Sequence, residues 1–169
     1  MSAAPLLSVQ DLKVHFDITR KGLFGGPKAV VKAVDGVTFD LRPGETLGLV
    51  GESGCGKSTL GRAVLRLLPA THGRVVWLGE DLHALDHAAM QQKRRHMQII
   101  FQDPLASLNP RMTVGQIIAE PLTIFNPQMS GTEVKERVRQ MMAKVGLLPN
   151  QINRYPHEFS GGQAQRIGI

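Results

Sequence analysis

The chain has one cysteine, one tryptophan and one tyrosine among 169 residues. A single thiol excludes an internal disulfide framework and suits a reducing compartment. Sparse aromatics, never interleaved with basic residues, argue against a platform for stacking bases, so nucleic acid is not an expected partner. No apolar run approaches the ~20 residues that span a bilayer. No signal peptide opens the chain, and Met1-Ser2-Ala3-Ala4-Pro5 reads as a short frayed terminus. Internal repeats, low-complexity tracts and flexible linkers are missing too. The net charge of +6 permits contact with anionic partners without requiring it. Its densest cluster, Lys93-Arg94-Arg95, falls at the end of a predicted helix, where cations meet the negative end of the helix dipole.

What is present is a phosphate loop. Gly51-Glu52-Ser53-Gly54-Cys55-Gly56-Lys57-Ser58 fits the pattern G-x-x-x-x-G-K-[ST]. The glycines let the backbone wrap closely, turning successive N–H groups toward a polyphosphate. Lys57 can reach the β- and γ-phosphates, and the Ser58 hydroxyl can sit on Mg²⁺. Cys55 reads as a small residue filling the loop. Before it, Glu45 to Val50 predicts a buried parallel strand. After it, Leu60, Ala63, Val64, Leu67 and Leu68 recur at helical spacing up to Pro69, and the N-terminus of that helix adds its dipole to the anion site. The loop is expected to hold a nucleoside triphosphate.

Around it, Leu7 to Phe16 and Val31 to Leu41 alternate as strands, with a loop from Arg20 to Pro27 between them. Arg42-Pro43-Gly44 is a turn. Thr71-His72-Gly73 turns into a strand from Arg74 to Leu78, and Gly79-Glu80-Asp81 turns into a helix from Leu82 to Arg95. Met97 to Phe101 predicts a second buried strand. From Asp103 the strands stop. Ser130-Gly131-Thr132-Glu133 fits a capping box, Val134, Val138, Met141 and Val145 follow at helical spacing with the methionines as core, and Gly146 supplies the stop.

Two further constellations carry chemistry. In Ile99-Ile100-Phe101-Gln102-Asp103-Pro104, either Gln102 stands within reach of Mg²⁺ or an attacking water, or Asp103 is an acidic metal ligand. In Phe159-Ser160-Gly161-Gly162-Gln163-Ala164-Gln165-Arg166, backbone N–H groups and a hydroxyl open a helix, a second ready-made phosphate site. One triphosphate does not need two such sites from one subunit, so the second is suited to the nucleotide of another molecule.

Gly51 to Thr59, Gln102 and Ser160-Gly161-Gly162-Gln163 resemble, in order, the Walker A, Q-loop and signature motifs of ABC transporter ATPases. Phe101 to Met112 and Tyr155-Pro156-His157-Glu158-Phe159 are similar to the ATP-binding subunits of bacterial oligopeptide and dipeptide importers. The resemblance runs from about Leu7 to Ile169. It implies an α/β P-loop (RecA-like) core with an N-terminal antiparallel β subdomain and a helical subdomain, the C-terminal part of the core missing, divided as 1–102 and 103–169. It implies ATP and Mg²⁺ as cofactors. Phe16 takes the place of the aromatic that stacks on adenine. Gly51, Ser53, Gly54, Cys55, Gly56, Lys57, Ser58 and Thr59 take the phosphates, and Ser58 and Gln102 take the metal. Gln102 senses the γ-phosphate, and Asp103 loses the ligand role. Ser160, Gly161, Gly162 and Gln163 face the nucleotide of an opposing ATPase subunit. The implied partners are that second subunit, a paralogue, transmembrane permeases docking on the segment from Pro104 to about Met129, and indirectly a periplasmic or surface peptide-binding protein. The implied location is the cytoplasmic face of the bacterial inner membrane. Importers of nickel or other small solutes, and non-transport ABC ATPases, are the alternatives.

The chain departs from the family in two respects. Ala164 stands where relatives often carry a basic or polar residue, with a modest effect expected on helix surface contacts. The strand of four apolar residues ending in Asp-Glu, which carries the general base, and the histidine loop after it do not occur before Ile169. Residues 1–169 alone are therefore expected to hydrolyse ATP negligibly and to be poorly stable. Val75 to Asp81 is no substitute, because it reads as a strand and turn. His83 and His87, one helical turn apart, read as a solvated helix face.

Overall fold

Alternating apolar residues build a four-stranded antiparallel sheet in the order β2-β1-β3-β4, formed by β1 (Leu7–Thr19), β2 (Lys28–Leu41), β3 (His72–Trp77) and β4 (Glu80–Asp81). The computed structural model describes residues 4–19 and 28–169. The loop expected from Arg20 to Pro27 lies outside them, as does the start of the frayed terminus. The chain divides into two compact units, Met1–Met97 and Gln98–Ile169.

In the first unit, α1 (Lys57–Val64) and α2 (His87–Lys93) complete the core. Val9, Leu12, Val14, Val34 and Val75 from the sheet pack with Leu60 and Ala63 of α1 and with Leu82 and Met90. Arg42-Pro43-Gly44 turns as expected, with Gly44 at φ +76° and the Glu45 amide donating to the Arg42 carbonyl. The β3–β4 hairpin closes on Leu78-Gly79, both at positive φ, as a two-residue hairpin turn with the strand twist requires. The turn thus comes one residue earlier than expected, and Glu80–Asp81 is strand.

Two helices are shorter than their periodicity suggests. α1 stops at Val64 because Arg66 turns left-handed (φ +52°) and its guanidinium donates to the Leu82 and Leu85 carbonyls at 2.8 and 2.7 Å. These two bonds tie the end of α1 to the segment that precedes α2. α2 starts only at His87, where Asp86 caps by accepting from the Ala89 amide at 2.7 Å. His83 therefore lies ahead of the helix, partly buried, with an unpartnered Nε2, and does not share a solvated face with His87. Among the described residues no group of three or more acidic, histidine or cysteine side chains is placed to hold a metal. Lys93, in the last turn, pairs with Glu80 at 2.5 Å and lies 5.5 Å above the Trp77 ring.

The larger correction concerns the two parallel strands. Glu45 to Val50 and Met97 to Phe101 form no strand. Leu47, Leu49, Val50, Ile100 and Phe101 are exposed, Val50 at 93%. A central parallel strand needs a hydrogen-bonding neighbour and cover on both faces, and among the described residues neither segment joins a strand ladder.

The second unit is helical: α3 (Pro104–Ser107), α4 (Val114–Phe125), α5 (Gly131–Lys144) and α6 (Gly161–Gly168). Val114, Val138, Met142, Leu147, Ile152, Phe159, Ala164 and Ile167 form its core with Leu108. The capping box at Ser130 and Glu133 forms as expected, and Gly146 (φ +71°) ends the helix. The Ser130 backbone and hydroxyl hydrogen bonds hold the Glu133 carboxyl below the ordinary carboxylate range. The inward methionine is Met142, fully buried, while Met141 is 48% exposed. The inward stripe runs Val134, Val138, Met142, so the i+4 step carries it past Met141.

Candidate nucleotide-binding site

The loop from Gly51 to Gly56 owes its path to glycines at three places. Gly54 and Gly56 have φ of +81° and +97°, a conformation costly for other residues. A Cβ on Gly51 would come within 2.7 Å of Cys55 Sγ, and one on Gly56 within 2.1 Å of the Ala33 carbonyl oxygen on β2. The loop therefore closes tightly on its own Cys55 and on β2 at two of its glycines, and only a residue without a side chain fits there. Cys55 is exposed, and its sulfur packs against Gly51, so it fills the loop as expected. The Lys57 ammonium donates to the carbonyls of Gly51 (2.8 Å) and Glu52 (2.5 Å) and lies 3.5 Å from Cys55 Sγ. Ser58 is exposed and Thr59 half-buried on the first turn of α1.

Helix caps set this loop apart. α4, α5 and α6 each begin with a capping box, whereas no side chain caps α1. The first-turn N–H groups of a helix require an acceptor, and at α1 no side-chain cap supplies one, an arrangement suited to an anion.

Phe16 sits on β1 opposite Val31 and is 40% exposed, so its ring is not committed to the core. In the second unit, Gln102 is exposed on a bend just before α3. Asp103 caps α3, its carboxylate accepting from the Ala106 amide at 3.1 Å. That bond accounts for the carboxylate without a metal. Ser160 caps α6: its Oγ accepts from the Gln163 amide at 3.3 Å, and Gln163 Oε1 accepts from the Ser160 amide at 3.0 Å. The Ser160 hydroxyl keeps its own proton to donate, and Gln163 keeps its NH₂. Gly161 and Gly162 are exposed, and a Cβ on either would meet nothing within 4 Å. No packing within the unit calls for glycine there. Ala164 is fully buried in the helical core, so position 164 is a packing site rather than the surface contact expected.

Sequence reasoning missed Ala33. No motif marks it, and only the strand register brings it to Gly56.

The family model for the ABC transporter matches residues 34–169. The chain belongs to the ABC transporter family. The oligopeptide transport ATP-binding protein OppF of Salmonella typhimurium is 62% identical over 165 residues, 97% of this chain and 49% of that protein. The dipeptide transport ATP-binding protein DppF of Escherichia coli is 51% identical over 165 residues, 98% of this chain and 48% of that protein. The dimeric post-hydrolysis structure of the ATP-binding cassette MJ0796, bound to ADP and Pi, matches with a TM-score of 0.76 at 26% identity, covering 96% of this chain and 66% of that one. This ABC chain thus spans about half the length of the curated relatives it matches. Its fold class is that of the ABC ATPase cassettes, an antiparallel β subdomain and a helical subdomain joined to a P-loop core that these residues form in part. Among the described residues no helix is long and apolar enough to cross a membrane.

Proposed function

We propose that the chain is the nucleotide-binding part of an ATPase subunit that powers import of oligopeptides or dipeptides. The observation that carries the reading is the loop itself: two left-handed glycines and an uncapped helix α1, with Lys57 across the loop. In this reading Gly51, Ser53, Gly54, Cys55, Gly56, Lys57 and Thr59 hold the phosphates of ATP, and Phe16 stacks on adenine. Ser58 and Gln102 hold Mg²⁺, which when bound offsets the charge of the phosphate oxygens. Gln102 links the metal to the permeases, with Pro104 to about Met129 as their docking surface. Ser160, Gly161, Gly162 and Gln163 contact the nucleotide held by an opposing ATPase subunit, a paralogue. The open space over Gly161 and Gly162 supports that role, because two glycines opening a helix cost stability. The division of labour runs between residues 1–102 and 103–169. The peptide class follows the oligopeptide and dipeptide transport proteins among the relatives, and the setting is the cytoplasmic face of the inner membrane, beside permeases supplied by a peptide-binding protein. In this reading residues 1–169 hold the nucleotide, while no run of four apolar residues ending in Asp-Glu occurs among them to supply a general base.

The test replaces Lys57 by Ala in the natural protein and follows ATP-driven uptake of a labelled oligopeptide and of nickel. Loss of peptide uptake in the variant is expected. Unchanged peptide uptake with lost nickel uptake transfers the reading to a small-solute importer, and loss of neither contradicts it.

A further inference from the structure

The strands β1 and β2 are out of simple register where they pass the phosphate loop. Val14 faces Val34, but the next residue, His15, faces Lys32, so Ala33 is an extra residue on β2 with no partner on β1. A bulge of this kind bends its strand and re-aims the groups it carries. Here the Ala33 carbonyl oxygen lies against Gly56, the residue that turns the phosphate loop into α1, while the neighbouring Val34 is buried in the core. The bulge is tied on both sides by one carboxylate. Asp35 Oδ1 accepts from His15 Nε2 at 3.0 Å across the strands, and Asp35 Oδ2 accepts from Lys32 Nζ at 3.2 Å along β2. The hydrogen bond from Lys32, and then that from His15, hold the Asp35 carboxyl below the ordinary carboxylate range. His15 is further anchored by its amide, which donates to Thr71 Oγ1 at 2.8 Å.

We infer that Asp35, clamping Lys32 and His15 around the bulge at Ala33, is a positioning residue that sets the phosphate loop through Gly56. None of the three clamp residues belongs to the loop or to its motif. The consequence for nucleotide rests on the reading that this loop holds ATP. The consequence for loop geometry does not. Cys55 reports that geometry directly, because its exposed sulfur packs against Gly51 and lies beside Lys57.

The experiment compares Asp35→Ala with Asp11→Asn in the full-length natural protein. Asp11 is an apt control: it pairs with Lys13 at 3.4 Å and His72 at 3.3 Å on the same sheet. Asparagine tolerates its left-handed backbone (φ +45°). The readouts are the rate of Cys55 alkylation by a maleimide and the affinities for Mg-ATP and inorganic tripolyphosphate. Asp35→Ala is expected to speed alkylation about two- to fivefold, the scale of an exposed ion pair, while Asp11→Asn leaves it unchanged. ATP and tripolyphosphate should weaken together in Asp35→Ala, because the loop rather than the base contact has moved. Lys32→Ala, which leaves the His15 bond in place, should give a smaller shift in the same direction and serves if Asp35→Ala fails to fold. Alkylation at the wild-type rate in the folded Asp35 or Lys32 variant overturns the inference. Shifted alkylation in a protein that binds neither ATP nor tripolyphosphate upholds the clamp and removes the ATP reading instead.

Discussion

Replacing Gly56 by alanine tests the geometry of the loop more sharply than removing its lysine, because the penalty can be worked from two independent features. The backbone at 56 has φ +97°, and a Cβ there would lie 2.1 Å from the Ala33 carbonyl oxygen. The left-handed conformation costs an alanine about 1–2 kcal/mol. Forcing the carbon off β2 adds about 1–3 kcal/mol, the range for overpacking a well-filled site. If the binding-competent loop must be reached against that cost, affinity for Mg-ATP falls about 30-fold or more. Gly54 separates the two contributions, since it shares the positive φ (+81°) but faces open space. Gly54→Ala should therefore lose only about 5- to 30-fold. Equilibrium binding of Mg-ATP, with a melting curve on each variant, provides the comparison. Binding by Gly56→Ala as tight as that by Gly54→Ala would refute the contact with Ala33.

Other expectations are independent of that contact. Met142→Ala should destabilise by about 2–5 kcal/mol as a cavity forms in the helical core, whereas Met141→Ala, at a 48% exposed position, should change stability by about 0.5 kcal/mol or less; urea denaturation distinguishes them. Gly161→Ala should leave stability unchanged or raise it by up to about 1 kcal/mol, since its Cβ meets nothing and alanine favours helix, yet it should lower ATP turnover of the assembled transporter; unchanged turnover removes residue 161 from the composite site. Asp35 and Glu133 both have carboxyls held below their ordinary range. Their contribution is therefore present above the unfolded carboxylate range of about pH 4 and is lost as pH falls through the lower folded values. An acid titration followed by circular dichroism should show Asp35→Asn less sensitive than wild type in that window.

The local chemistry was largely legible in the sequence. Ser130-Gly131-Thr132-Glu133 and Gly146 bound α5 as their side chains dictate, and the loop glycines occupy the backbone conformations their motif requires. Local signals are legible because the residues that satisfy one another are close in the chain. Most of the larger misreadings involve distant partners. α1 ends early because Arg66 reaches carbonyls 16 and 19 residues away. Glu45 to Val50 and Met97 to Phe101 have the composition of buried strands, but composition does not supply the neighbouring strand each needs. Met142 rather than Met141 faces inward because the helix packs on an i+4 stripe, which a one-residue ambiguity in periodicity leaves open. Ala33 carries no signal at all, and its place beside Gly56 follows from a bulge that only the paired register reveals.

The central claim is that the loop from Gly51 to Thr59 holds the triphosphate of ATP. Its most direct test is equilibrium binding of Mg-ATP to the full-length protein and to its Lys57→Ala variant, with melting curves to show that both are folded. The account predicts one saturable site per chain in the wild type, weakened by about tenfold or more in the variant, the scale of losing a charge-assisted hydrogen bond to phosphate. Equal affinity in two folded proteins would contradict it.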